Sequence, residues 1–170
     1  MVSGTRTVSR VVLLIFSCCV PSLTQDGPIH SLALARCIES RDVRSSVTLD
    51  MSANPYYLRG DFDSDGVPDY AVVVRGINSK KKGIVICTRR RRDVILGAET
   101  RGAKAFSDMP GDNFVAPHWE VATRADVLAL RRTNDGVPDP KGESIFMVWE
   151  DGLHIIYWDG SGYRWSQMMQ

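Results

Sequence analysis

The feature that most constrains the fold is a pair of β-branched and aromatic runs near the C-terminus, separated by a tight-turn dipeptide. Residues 144–150 (SIFMVWE) and 153–158 (LHIIYW) flank Asp151-Gly152. An Asp-Gly pair between two such runs is a strong short-range signal for a β-hairpin, because both residues tolerate positive φ. Asp159-Gly160-Ser161-Gly162 then turns the chain into residues 163–167. We therefore expect a three-stranded meander, with Trp149, Trp158 and Trp165 packing in its core and at its edges.

Similar runs occur earlier in the chain. Strands are predicted at 47–49, 56–58, 70–74, 83–88, 93–96, 119–123 and 126–130, and Asn54-Pro55 is a turn signal. Residues 98–117 are rich in Gly, Pro, Asp and Lys and are predicted to be an irregular connection. Asp26-Gly27-Pro28 followed by an apolar face predicts a short helix over residues 29–41.

Composition agrees with an ordinary globular protein. The chain has 170 residues, of which 44% are hydrophobic and 24% charged, and this excludes collagen, a long coiled coil and a wholly disordered chain. The predicted fold is mainly β: a single antiparallel β-sheet domain built from a meander and hairpins, with one short N-terminal helix.

The first 25 residues have the layout of a secretory signal peptide. Arg6 and Arg10 precede an apolar run over residues 11–20 (VVLLIFSCCV), and Pro21 begins a small and polar exit. This run is too short for a bilayer core of ~30 Å, which needs ~20 residues. The alternatives are a core helix, an uncleaved anchor, or a lipid-modified N-terminus at Cys18 or Cys19. We expect cleavage, a secreted or periplasmic location, no transmembrane segment, and one β-rich domain over residues 26–170.

Cleavage would leave two cysteines, Cys37 and Cys87. In an oxidising compartment they can form one disulfide, and the alternative is two thiols buried among apolar neighbours. Cleavage would also leave 19 basic and 20 acidic side chains, a formal charge of −1. The overall charge therefore selects no partner.

Residues 60–70 (GDFDSDGVPDY) carry the densest chemistry. Counted from Asp61, carboxylates stand at positions 1, 3, 5 and 9, with glycine at position 6. Acids at this density repel one another unless a cation neutralises them, and oxygen ligands suit Ca²⁺. The carbonyl of Val67 can supply a further oxygen. Position 12 is Val72 and not the Glu of an EF-hand, and a strand follows. We expect a calcium loop between β-elements; the alternative is a solvated turn without metal.

The segment GDFDSDGVPDYAVV resembles the FG-GAP or VCBS type of repeat found in secreted and cell-surface proteins, over residues 57–76. In that family the DxDxDG loop binds calcium and leads into a strand of a propeller blade. The resemblance implies Ca²⁺ as the bound ion. We expect its role to be structural, fixing the loop so that the following strand starts in register. The resemblance also implies side-chain ligands at the matching positions, which are Asp61, Asp63, Asp65 and Asp69. The DGVPD of residues 65–69 recurs at 135–139 without the two preceding acids, and we interpret that second copy as a turn.

Eight basic residues lie within the eighteen positions from Arg75 to Arg92. Two clusters within this stretch could attract an anionic surface or polysaccharide, and the alternative is an ordinary solvated face. If 70–90 form a hairpin, the clusters lie at opposite ends of its second strand. Nucleic acid is disfavoured by the export signal. The residues of the two clusters are Lys80, Lys81, Lys82, Arg89, Arg90, Arg91 and Arg92.

Catalytic signals in the sequence are weak. It contains no GxSxG, HExxH or phosphate-loop motif, and the histidines have no zinc spacing. His118 with Glu120, and His154 with Asp151, are possible acid–base pairs. The expected function is an exported, calcium-stabilised binding or structural module that is not catalytic. The alternative is an exported hydrolase in which the calcium loop is a scaffold.

Overall fold

The computed structural model describes residues 32–99, 118–132, 134 and 136–169. The fold is mainly β, as the sequence predicts. The strands are β1 (Val47–Leu49), β2 (Tyr57–Gly60), β3 (Asp69–Gly76), β4 (Lys82–Cys87), β5 (Val94–Gly97), β6 (His118–Ala122), β7 (Ser144–Trp149), β8 (Gly152–Trp158) and β9 (Tyr163–Met169). The α-helices of the described residues are α1 (Leu32–Ile38), α2 (Arg41–Arg44) and α3 (Arg124–Ala129), and a 3₁₀ turn covers Leu130–Arg132.

The strands form two antiparallel sheets where the sequence suggested one. In the first sheet the order is β1-β3-β4-β5. Strand β2 pairs with the same edge of β3 as β1 does, at a different part of that strand. In the second sheet the order is β6-β7-β8-β9, a meander of consecutive strands. A period-two pattern marks the two faces of a strand without specifying its neighbours. The division into two sheets therefore could not be seen in the pattern.

The two sheets pack face to face around a shared core. Ala71 and Val73 of β3 and Ile84 of β4 face Ile145 and Ile156 of the second sheet within one cluster of buried side chains. Side chains at the intervening positions point to the opposite face of each sheet. Because both faces of β3 and β4 are covered, these strands are continuous apolar runs and not alternating ones.

Short helices cover the outer faces. Leu34 of α1 and Val43 of α2 pack on Val72 and Val85 of the first sheet. A disulfide joins Cys37 of α1 to Cys87 of β4, with Cα atoms 5.6 Å apart. Of the two sequence-based alternatives for these cysteines, the structure therefore contains the disulfide. The predicted helix over 29–41 corresponds to α1, which ends before α2; residues 29–31 lie outside the described residues.

The strand predicted at 126–130 is wrong, because this segment belongs to α3 and the 3₁₀ turn after it. Thr123 and Asp126 form a capping box: the Thr123 hydroxyl accepts from the Asp126 amide, and Asp126 accepts from the Thr123 amide at 2.9 Å. This reciprocal pair satisfies two donors that a helix start leaves open. Val127 then packs on Ile155 and Met168, covering the outer face of the second sheet.

The predicted meander is present as β7, β8 and β9. Trp149 pairs with Gly152, so the hairpin loop is Glu150-Asp151, one residue earlier than predicted, and Gly152 has φ +131°. Asp159 shapes the next turn by accepting from the amides of Ser161 at 2.7 Å and Gly162 at 2.8 Å. The signal segment 1–25 and most of the irregular connection predicted over 98–117 lie outside the described residues, and the signal peptide stays a prediction.

Candidate functional site

The acidic loop, residues 61–68, connects β2 to β3 in the first sheet. These strands pair antiparallel up to Gly60 and Asp69, so the loop is the tip of a hairpin. Two residues with positive φ, Ser64 at 60° and Gly66 at 79°, curl the chain back on itself. Glycine adopts this conformation at little cost because it has no Cβ. The curl brings alternate side chains to the inside of the loop.

Three of the predicted ligands converge. Asp61, Asp63 and Asp65 each offer a carboxylate oxygen, and these three oxygens lie within 4.8 Å of one another. The loop backbone is folded around these side chains. The amide of Asp65 donates to Asp61 Oδ1 at 3.0 Å and to Asp63 Oδ1 at 3.1 Å, and the amide of Gly66 donates to Asp61 Oδ2 at 3.0 Å. The half-buried Val67 donates its amide to Asp65 Oδ1 at 2.8 Å.

Asp69, the fourth predicted ligand, is buried at the start of β3 beside this cluster. Its Oδ2 accepts from the amide of Phe62 at 3.1 Å, whereas its Oδ1 is buried without a hydrogen-bond partner. Burial raises the pKa of the Asp69 carboxyl to about 7, and the neighbouring Asp63, Asp65 and Asp61 add to this, against the opposing effect of the Phe62 amide. Burial and Asp65 likewise raise the pKa of Asp63.

A hard cation fits this donor set. Asp65 Oδ2, like Asp69 Oδ1, is buried and makes no hydrogen bond, and buried polar atoms are rarely left without partners. Ca²⁺ is coordinated by carboxylate and carbonyl oxygens with free lone pairs. The carbonyl of Val67 can add to the carboxylate oxygens and help to complete the coordination shell. The residues present therefore fit calcium on chemical grounds.

Two arginines, which sequence reasoning treated separately from the loop, lie against its carboxylates. Arg91 Nε is 2.9 Å from Asp63 Oδ2, and Arg90 Nε is 3.6 Å from Asp65 Oδ2. The Arg91 guanidinium also stacks 4.8 Å from the ring centroid of Trp158. The register of β3 with β4 explains this contact. Cys87, the last residue of β4, lies opposite Tyr70, so the residues after β4 lie beside the start of β3 and the acidic loop that precedes it.

The segment before β7 braces the loop from the side of the second sheet. The Asp61 amide donates to Glu143 Oε2 at 2.7 Å, and the Glu143 amide donates to the Asp61 carbonyl at 2.9 Å. The Ser64 hydroxyl donates to the Lys141 carbonyl at 2.7 Å. These three bonds couple the position of the loop to the second sheet.

The two basic clusters lie at opposite ends of β4, as predicted from the hairpin. Lys82 contacts the buried Asp50 at 3.8 Å, and Lys81 pairs with Glu99 at 2.8 Å. Lys80 lies in the preceding turn, with φ 60°. At the other end, Arg92 pairs with Asp42 at 3.0 Å. The clusters therefore present two separate charged regions and not one continuous patch.

Both predicted histidine–carboxylate pairs are in contact. His118 Nε2 lies 3.6 Å from Glu120 Oε2, and both side chains are exposed. His154 Nε2 lies 3.0 Å from Asp151 Oδ1, with the imidazole buried between Trp149 and Trp165. The tryptophans pack in or against the core, as predicted.

Among the described residues, no helix is both long enough and apolar enough to cross a membrane. Comparison of the chain with protein-family models, with curated proteins and with solved structures gave no match.

Proposed function

We propose that this chain is an exported, calcium-stabilised binding or structural module without catalytic activity. Asp61, Asp63, Asp65 and Asp69 would hold Ca²⁺ through their carboxylates, and Val67 through its carbonyl. The observation that carries the proposal is the convergence of the Asp61, Asp63 and Asp65 carboxylates. Two buried oxygens at this site, one on Asp65 and one on the neighbouring Asp69, lack hydrogen bonds. The likeness of residues 57–76 to an FG-GAP or VCBS unit belongs to the same proposal.

The bound ion would have a structural role. Calcium would neutralise the mutual repulsion of the loop carboxylates. Asp69 is both a proposed ligand and the first residue of β3. Holding this carboxyl in place would fix where β3 begins and therefore its register with β2 and β4. Gly66 and Ser64 shape the loop, and Glu143 holds its backbone from the second sheet.

Export is supported by the Cys37–Cys87 disulfide. Disulfides persist in secreted and periplasmic proteins and are rare where thiols are kept reduced. Such compartments are also the ones that a signal peptide over residues 1–25 would reach.

The proposed partner is an anionic surface or polysaccharide. Arg89 and Arg92 are exposed near one end of β4, and Lys80 is exposed at the other. Lys81 and Lys82 contact acidic side chains, so they are less suited to a partner than Lys80. Retention on a sulfated polysaccharide resin at increasing salt tests this part. We expect Arg89→Ser with Arg92→Ser to elute at lower salt than the wild type, since exposed charges are screened over ~8 Å at physiological ionic strength.

Calorimetric titration of the purified exported protein with CaCl₂ tests the metal site. We expect one saturable site in the wild type, weakened or abolished in Asp61→Asn. Asp42→Asn, which removes an exposed carboxylate away from the loop, is the matched control and should retain full affinity. Absence of saturable binding, or equal loss in both variants, would refute the metal proposal.

A further inference from the structure

A cleft of about 670 Å³ separates α2 from residues 88–95, the segment that connects β4 to β5 and enters β5. This volume lies in the range of small-molecule sites. The cleft is on the helix-covered side of the first sheet. One wall is helical, and the other is a loop that leads into β5.

Two hydroxyl groups in the cleft lining lack partners. Ser40 precedes α2 but makes no side-chain capping bond, and its Oγ is buried without a hydrogen bond. Thr88 Oγ1, on the opposite wall, is also buried without one. A buried hydroxyl without a partner is unfavourable, and such groups usually have a protein or solvent partner. Both residues line the cleft, so rotation of either side chain to another staggered χ1 position would let a polar ligand there supply the missing bonds.

Arginines stand on both walls. Arg41 belongs to α2, and no ion pair joins it to another described residue. Arg92 on the facing segment pairs with Asp42, but both side chains are largely exposed, at 85% and 74%. Exposed pairs of this kind contribute little, so an incoming oxyanion can take over Arg92. Arg91 also lines the cleft, but its guanidinium is engaged by Asp63 of the acidic loop.

The remaining lining comprises two carboxyl groups, those of Asp42 and Asp93, the Ser46 hydroxyl and apolar side chains. Asp93 Oδ1 accepts from the Thr88 amide at 3.0 Å, which fixes the carboxyl group at the cleft. A carboxylate accepts hydrogen bonds from alcohols and repels anions, so hydroxyl groups of a ligand suit the position beside Asp93, and an oxyanion suits the position beside Arg41 and Arg92. Val94 and Ile95 provide apolar surface for the C–H face of a ring.

We propose that this cleft binds a small sugar carrying a phosphate or sulfate group, the anionic group lying between Arg41 and Arg92. Guanidinium groups bind such oxyanions through two parallel N–H bonds. Ser40 and Thr88 contact the sugar hydroxyls, and Asp93 accepts from one of them. The inference rests on the proposed binding function and gives it a ligand class, but it does not depend on calcium.

The test is calorimetric titration of the purified protein in calcium-free buffer. The probes are glucose 6-phosphate, glucose 6-sulfate, inorganic phosphate, inorganic sulfate and glucose. We expect saturable binding of at least one sugar ester, about tenfold or more tighter than its inorganic ion or glucose. The two esters distinguish phosphate from sulfate as the preferred group.

Variants locate the binding. Arg92→Ala and Arg41→Ala should each weaken binding of the preferred ester about tenfold. Arg44→Ala, an exposed arginine of α2 outside the cleft lining, is the matched control and should leave it unchanged. Thr88→Val should weaken binding without lowering the melting temperature of the unliganded protein, since its hydroxyl has no partner to lose. Ser40→Ala gives a second measurement if Thr88→Val fails to fold.

Four results would overturn the inference: no saturable binding of either ester, equal affinity for the inorganic ions, equal loss in Arg44→Ala, or wild-type affinity in Arg92→Ala. These results are distinguishable from failure of the calcium proposal. A protein that binds Ca²⁺ but no ester would leave that proposal standing. A protein that binds an ester but no Ca²⁺ would do the reverse.

Discussion

Asp69 shows how one buried carboxyl group can link stability to pH. Its pKa is about 7 in the folded chain, against 3.8 when unperturbed. The folded state therefore holds a proton that the unfolded state releases between about pH 4 and pH 7. The stabilisation is fully present below pH 4 and is lost as the pH rises to about 7. In calcium-free buffer we expect the free energy of unfolding to fall across this interval.

Asp69→Asn isolates this contribution. Asparagine retains an acceptor for the Phe62 amide but carries no charge, so the fall between pH 4.5 and pH 7.5 should be smaller than in the wild type. Urea unfolding of both proteins at four or five pH values measures the difference. Contributions from groups remote from Asp69 are common to the two proteins and cancel. Identical slopes would show that Asp69 is not the source.

Arg90 allows a test of whether a neighbouring arginine competes with the proposed calcium ion for the carboxylates of the acidic loop. Its Nε lies near Asp65, and the side chain is 66% exposed. A fixed cation beside a cation site opposes binding, so Arg90→Gln should tighten calcium binding about two- to fivefold, the scale of an exposed pair. Arg89→Gln, for which no contact with the acidic loop is observed, serves as the control. Calcium titration at low salt compares the variants, and a weaker site in Arg90→Gln would contradict the competition.

At the scale of elements, the disulfide ties the N-terminal helix to the central strands. It links α1 to β4 across a separation of 50 residues. Chain-entropy reasoning gives about 4 kcal/mol for a loop of this length. Cys37→Ser with Cys87→Ser should lower the free energy of unfolding by roughly this amount, measured by urea denaturation. Reducing the wild type should produce a similar loss, whereas reductant should not affect the double variant.

The capping box explains why α3 is helical where a short apolar run indicated a strand. Thr123→Ala removes the hydroxyl that accepts from the Asp126 amide and should cost about 1 kcal/mol. Thr123→Ser keeps the acceptor and should cost less. Thermal or urea unfolding ranks the three proteins. Equal losses for Ala and Ser would indicate that the methyl group, and not the cap, matters.

At the scale of the whole molecule, the acidic loop is shared between the two sheets. A Cβ placed on Gly142 would collide with the Asp61 carbonyl oxygen, a backbone atom. Gly142→Ala should therefore displace the loop, destabilise the protein by about 1–3 kcal/mol and weaken calcium binding. Lys141→Ala, which keeps the backbone carbonyl that accepts from the Ser64 hydroxyl, is the matched control. Unchanged calcium affinity in Gly142→Ala would show that the loop does not depend on this contact.

Local sequence patterns predict most strands, place the C-terminal hairpin turn to within one residue, and contain the ligand-type spacing of the acidic loop. These features are local. Turn residues, alternating side chains and closely spaced acids exert their effects within a few positions, so their chemistry can be recognised without knowing the fold. The run at 126–130 is the local failure, because a short apolar stretch suits a strand or a helix and the cap at Thr123 decided between them.

The folded chain is needed to show which strands share a sheet. It also shows that Arg90, Arg91 and Glu143 contact the acidic loop, and that α2 faces residues 88–95 across a cleft. Each of these joins segments far apart in the chain. An alternating apolar pattern indicates that one face of a strand is buried, but it does not identify the element that covers this face. Hydrophobic association is non-directional, and many pairings of elements bury a similar apolar area. Which element covers each face depends on how the two sheets and the helices pack together in the complete fold.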